Sequence, residues 1–75
     1  MLITEKTKLV LNYLANNSPT YISKIARETK LPVSTVYYIV QRLARAGMVR
    51  LQRRGIVVYV ELTVKRERDN GERNL

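Results

Sequence analysis

Between Val33 and Val49 the chain reads "VSTVYYIVQRLARAGMV", and Val36, Ile39, Val40 and Leu43 fall at the three-and-four spacing of a helix that buries one face. Ser34, Tyr38, Gln41 and Arg45 recur at the same spacing on the opposite side, flanked by Tyr37 and Arg42. The pattern predicts a helix over about 33–46. Pro32 disfavours helix at Leu31 and suits the first turn of a new one, and Gly47 can take the left-handed conformation that ends it. Upstream, "TEKTKLVLNYLANNS" predicts a helix from about Thr4 to Asn16, capped by Thr4, with Glu5 at the positive end of its dipole and Asn16-Asn17-Ser18-Pro19 as the stop. Its apolar residues, Leu9, Val10, Leu11, Tyr13 and Leu14, spread widely around the helix and hint at a second contact, such as a subunit interface. Between the two lies "SKIARETK", a predicted helix of about two turns, capped by Ser23, with Ile25, Ala26 and Thr29 facing inward.

After Gly47 the apolar period changes from helical to alternating. "MVRLQRRGIVVYVELT" is rich in β-branched and aromatic residues and predicts a two-stranded hairpin turning around Gln52-Arg53-Arg54-Gly55. Val49 and Leu51 alternate with Arg50 and Gln52 on the first strand. On the second, Ile56, Val58 and Val60 share one face and Val57, Tyr59 and Glu61 the other. Gly55 supplies the positive φ that such a turn needs, and Arg53 and Arg54 are expected at its tip. The remainder, "VKRERDNGERNL", has almost no apolar residue after Val64 and cannot bury enough to order itself. The expected organisation is one domain over 1–64 and a charged, disordered tail over 65–75.

Seventy-five residues make a single domain, and a chain this short buries only about 60% of the surface its unfolded form exposes. Without cysteine or histidine, neither disulfides nor the usual zinc ligands can reinforce it, so no metal and no cofactor is expected. No apolar run approaches the roughly 18 residues of a membrane span. The opening "MLITEKTK" has the pattern of neither a signal nor a transit peptide, so a soluble cytoplasmic protein is expected. Charge narrows the partners. Fourteen Lys and Arg stand against six Asp and Glu, for a net +8, and five arginines with no acid lie between Arg42 and Arg54. A surface of this kind attracts a polyanion by releasing condensed counterions, although an anionic membrane would satisfy charge alone.

Helix, short helix, tight turn, longer helix and hairpin, in that order, resemble the winged helix-turn-helix of small prokaryotic, archaeal or viral regulators. The likeness runs from Ile22 to Leu62, "ISKIARETKLPVSTVYYIVQRLARAGMVRLQRRGIVVYVEL", which is 41 of the 75 residues. Ile25-Ala26 and Leu31 match a short helix of the form "xIAxxxxL". Ser34-Thr35-Val36, Val40, Leu43, Gly47 and Val49 match "SxSTVxxxLxxLxxxGLV". The chain departs from the pattern where a polar cap usually precedes the second helix: here stand Pro32 and Val33, so capping is expected from Ser34 or from outside the motif. The resemblance implies an α+β fold of three helices and a hairpin wing, with double-stranded DNA as partner and a homodimer.

In that fold the second helix of the motif lies in the major groove and presents its exposed face to base edges. Ser34, Tyr37, Tyr38, Gln41 and Arg45 then become base-reading candidates. Gln pairs with adenine and Arg with guanine through two hydrogen bonds each, and a tyrosine ring packs on a thymine methyl. Arg42, nearer the edge of the face, is a phosphate candidate, together with Lys24 and Lys30 on the preceding helix. Arg53 and Arg54 on the wing suit phosphates or the adjacent minor groove, where the negative potential is deep. Plainer readings accompany each: Tyr37 as a half-buried helix residue, Gln41 and Arg45 as solvating groups, Arg53 and Arg54 as solubilising turn residues.

The leading expectation is a sequence-specific regulator that dimerises; its rivals are a low-specificity architectural DNA binder and a protein-interaction winged helix, both of which would use the same basic face. An enzyme is the least expected, for the chain has no His, no Cys, no paired-carboxylate motif and no glycine-rich phosphate loop. The abundance of Arg with no Cys or His fits a hot-environment microbe or its virus.

Overall fold

The computed structural model describes residues 4–63. Along the chain run α1 (Glu5–Asn17), β1 (Thr20–Tyr21), α2 (Ile22–Thr29), α3 (Val33–Arg45), β2 (Val49–Arg54) and β3 (Val57–Leu62). The three helices pack together on one face of an antiparallel sheet of order β1-β3-β2. This is the α+β winged helix that the pattern predicts. The predicted tail over 65–75 lies outside the described residues.

Each helix end has a local cause. Thr4 caps α1: its Oγ1 accepts the Thr7 N–H at 3.2 Å, and the two threonine hydroxyls stand 3.0 Å apart. At the end of α3, Gly47 sits at φ 77, its N–H donates to the Ala44 carbonyl at 3.0 Å, and the Met48 N–H donates to the Leu43 carbonyl at 2.9 Å. That pair of bonds is the Schellman closure expected of a C′ glycine. α2 closes in a similar way with a lysine in the glycine's place: Lys30 is at φ 64 and the Leu31 N–H reaches the Ala26 carbonyl at 3.2 Å. The chain can then turn at Leu31-Pro32 into α3.

Three expectations need correction. α2 begins at Ile22, and the residue before it, Tyr21, caps it without a side-chain hydrogen bond; Ser23 is inside the helix and exposed. The cause is β1, which the apolar pattern does not announce. Thr20 and Tyr21 pair with Val60 and Tyr59, so the chain leaves the sheet directly into α2. Likewise Pro32 precedes α3 with no side-chain cap, and Ser34 does not supply one. The third correction is at the wing. β2 runs to Arg54, in register with Val57, and the tip is Gly55-Ile56. Gly55, at φ 62, is the first central residue and Ile56 is outside the positive-φ region, which is the type II′ arrangement. Arg53 and Arg54 are therefore the last strand residues and not the turn.

The core holds Val10 and Leu14 of α1, Ile22, Ile25 and Ala26 of α2, Val36, Ile39, Val40 and Leu43 of α3, and Val49 and Val60 of the sheet. All four apolar positions of the predicted α3 stripe are buried. The sheet obeys the period of two, with Val60 buried and Val58 and Leu62 half-buried on the inner face. Two polar bonds fasten the C-terminal end of β3 to neighbouring segments: the Leu62 N–H donates to Ser18 Oγ at 2.8 Å, and Thr63 Oγ1 donates to the Gly47 carbonyl at 2.7 Å. The second of these bonds ties the base of the wing to the end of α3.

Candidate nucleic-acid interface

Burying Val36, Ile39, Val40 and Leu43 fixes what α3 turns outward. At 100° per residue, Ser34, Gln41 and Arg45 fall opposite the centre of the buried stripe, and all three are exposed. Tyr38, 59% exposed, stands next to them on the side of Arg42. Tyr37, 40% exposed, occupies the other flank, beside Val33. Read across its width, the face runs from tyrosine through an amide, a hydroxyl and a guanidinium to a second tyrosine and Arg42.

The two flanks have different neighbours. On one side Tyr38 and Arg42, with Thr35, line an open groove against Thr4 and Lys6 at the start of α1. Here Arg42 Nη1 donates to the Tyr38 hydroxyl at 3.2 Å, and its guanidinium carbon lies 5.5 Å from the centre of the Tyr38 ring. A cation–π contact at an exposed site contributes about 0.5–1 kcal/mol, which favours this pairing of the two side chains. On the other side Val33 and Tyr37 face the wing across a cleft of about 380 Å³ whose far wall is Ile56, Val57 and Val58.

The remaining candidates divide. Arg53 and Arg54 are exposed, but the period of two turns them to opposite faces of the hairpin. Arg53 shares the register of Val58, on the face toward the helices. Arg54 shares the outer face with Tyr59, its guanidinium carbon 5.7 Å from that ring, and Tyr59 in turn meets Tyr21 edge-on at 6.0 Å. Lys30 is exposed in the turn between α2 and α3. Lys24 is half-buried and lines a groove with Tyr13, Asn17, Tyr21 and Tyr59, none of which belongs to α3. The structure thus brings five reading candidates and Arg42 onto one helix and sets Lys24 apart from them. The position missed by the sequence pattern is Ile56, 98% exposed at the wing tip; alternation alone assigns it to the core face. The signal that could have placed it is Gly55 as the first residue of a two-residue turn.

Among the described residues no group of three or more His, Cys, Asp or Glu could hold a metal ion, and no helix is long and apolar enough to cross a membrane.

With this geometry in hand, relatives decide the family. The family described as "Sugar-specific transcriptional regulator TrmB" matches residues 3–65. The chain belongs to the TrmB family of transcriptional regulators. Among solved structures, that of the PcaV transcriptional regulator from Streptomyces coelicolor, in complex with its natural ligand, superposes with a TM-score of 0.75 at 27% identity. The match covers 80% of this chain and 45% of PcaV, so the TrmB-family chain described here spans less than half of that protein. No curated protein matches the chain. Family and fold together make this a winged-helix domain of the DNA-binding transcriptional-regulator type.

Proposed function

We propose that this TrmB-family domain, residues 1–64, binds double-stranded DNA with sequence preference, α3 lying in the major groove and the wing on the adjacent backbone or minor groove. The observation that carries the reading is the outward face of α3. Ser34, Gln41 and Arg45 stand opposite the buried stripe, all three are exposed, and each is able to hydrogen-bond a base edge. Gln41 pairs with adenine, Arg45 with guanine, and Ser34 with either kind of edge. Tyr37 and Tyr38 pack on thymine methyls or sugars from the two sides. Arg42, held against Tyr38, and Lys30, in the turn that precedes α3, meet phosphates and set the register.

The regulator works as a homodimer in this reading, so that two α3 helices address half-sites about one helical turn apart. Leu9 of α1, 47% exposed, supports a contact through that helix, with half-buried Tyr13 beside it. Sedimentation equilibrium of the wild type and of Leu9→Glu checks this. A dimer for the first and a monomer for the second is the expected outcome; a wild-type monomer at DNA-binding concentrations refutes the dimer.

Selection from a random duplex pool tests the sequence preference. The wild type should enrich a site bound about 10³-fold or more above random duplex. Gln41→Ala and Arg45→Ala should each lose about 1–3 kcal/mol on that site and relax the preference at one position apiece. Enrichment of no site, with strong binding to all duplexes, would assign the domain an architectural role instead.

A further inference from the structure

An isoleucine at the tip of the wing calls for a partner. Ile56 is 98% exposed, occupies the second central position of a tight turn and belongs to no buried cluster. Turn positions of this kind favour polar residues or glycine, so the fold gains nothing from a β-branched aliphatic there. Its surroundings define what the partner must be. Arg53 and Arg54 immediately precede the turn, Arg50 stands farther down the same strand, and no acid occurs between Gly47 and Val60. An apolar group set among cations suits a polyanion that also has an apolar interior. Behind it, the cleft walled by Val57 and Val58 leads directly to Val33 and Tyr37 at the start of α3. The tip is therefore continuous with the reading face.

We propose that Ile56 is an apolar wedge that enters the minor groove of the duplex read by α3 and partly unstacks one base step there. The proposal rests on the DNA-binding reading above and adds to it a residue that deforms the DNA. The two arginines fit this pose. Because they turn to opposite faces of the hairpin, they straddle the tip, and a minor groove only about 6 Å wide has a phosphate wall on either side of whatever enters it. Arg53 reaches one wall and Arg54 the other, while the single aliphatic side chain between them goes in. Aliphatic wedges of this kind kink a duplex toward the major groove, which here brings more of the backbone onto the helix face. The wing then prefers a flexible pyrimidine–purine step without hydrogen-bonding to any base.

The test uses the full chain and a duplex of about 25 base pairs enriched from a random pool by the wild type, end-labelled for energy transfer and carrying 2-aminopurine at successive steps beside the helix-read centre. Wild-type protein should shorten the end-to-end distance and raise 2-aminopurine emission at one step. Ile56→Ser should lose both signals, weaken binding about tenfold or more and leave the salt slope unchanged, since it removes apolar contact and not charge. Ile56→Met should retain the bend. Arg53→Ala should do the reverse of Ile56→Ser, lowering the salt slope by about one while the unstacking persists. Unchanged melting temperatures for these variants would show that the fold is intact. If Ile56→Ser binds and bends DNA as the wild type does, the wedge is wrong and the DNA-binding reading stands. If Ile56→Ser instead changes only the sedimentation of the free protein, the tip belongs to a contact between proteins and the wedge is equally wrong. If the wild type binds no duplex at all, both fall together.

Discussion

Two residues at positive φ show how the same backbone demand is met at different cost. Gly47 at φ 77 ends α3, and a Cβ there would meet nothing within 4 Å, so the cost of replacing it is conformational and not steric crowding. Gly47→Ala is expected to lose about 1 kcal/mol in denaturant unfolding. Lys30 meets the demand at φ 64 with a side chain. Lys30→Gly should raise stability by about 0.5 kcal/mol, the relief of left-handed strain less the greater freedom of glycine in the unfolded chain. The same variant should weaken DNA binding at low salt if Lys30 meets a phosphate, so stability and affinity move in opposite directions. Tyr38 and Arg42 form the other informative pair. Because the guanidinium both donates to the phenol and lies over its ring, Arg42→Ala removes a phosphate contact and also loosens Tyr38. Its loss of affinity should exceed that of Lys30→Ala, and the two losses from Arg42→Ala and Tyr38→Phe should not add.

The helices were legible because each carries both a period and a punctuation mark. Val36, Ile39, Val40 and Leu43 give α3 its buried face, and Pro32 and Gly47 give its limits; Thr4 does the same for α1. β1 was not legible, since two residues are too few to show a period and Thr20-Tyr21 are extended only because β3 pairs with them. The wing was half legible. Alternation sorts Val58, Val60 and Tyr59 onto their faces, but it says nothing of where the strands stop, and two residues of error move Ile56 from the core face to the tip. The reading face, by contrast, follows from the α3 period alone, because any residue opposite a buried stripe is exposed. The β1–β3 edge also carries a stability prediction. Ser18 Oγ accepts the Leu62 N–H at 2.8 Å, so Ser18→Ala leaves a part-buried donor without its partner. Urea unfolding should show a loss of about 1–2 kcal/mol.

A domain of this size has little stability to lose, roughly 4–11 kcal/mol by the usual scale for 75 residues. Leu43 is fully buried where α3 meets the rest of the core, and Leu43→Ala should cost about 2–5 kcal/mol, enough to leave a large unfolded fraction on mild heating. Function asks something different of the same molecule. The core holds α3 from behind, the Ser18 and Thr63 bonds hold the base of the wing, and what projects from this frame is one polar helix face, a pair of arginines and one isoleucine. The measurement that bears most directly on this arrangement is fluorescence anisotropy with a random-sequence duplex, titrated across salt. It is made for the wild type, for Tyr38→Ala/Gln41→Ala and for Arg53→Ala/Arg54→Ala. Log K should fall linearly with log salt, with a slope that reports about four to eight phosphates. The wing pair should flatten that slope by about two, and the helix pair should leave it nearly unchanged. No binding of the wild type to any duplex at low salt would contradict the account and assign the Tyr/Arg face of α3 to a protein partner.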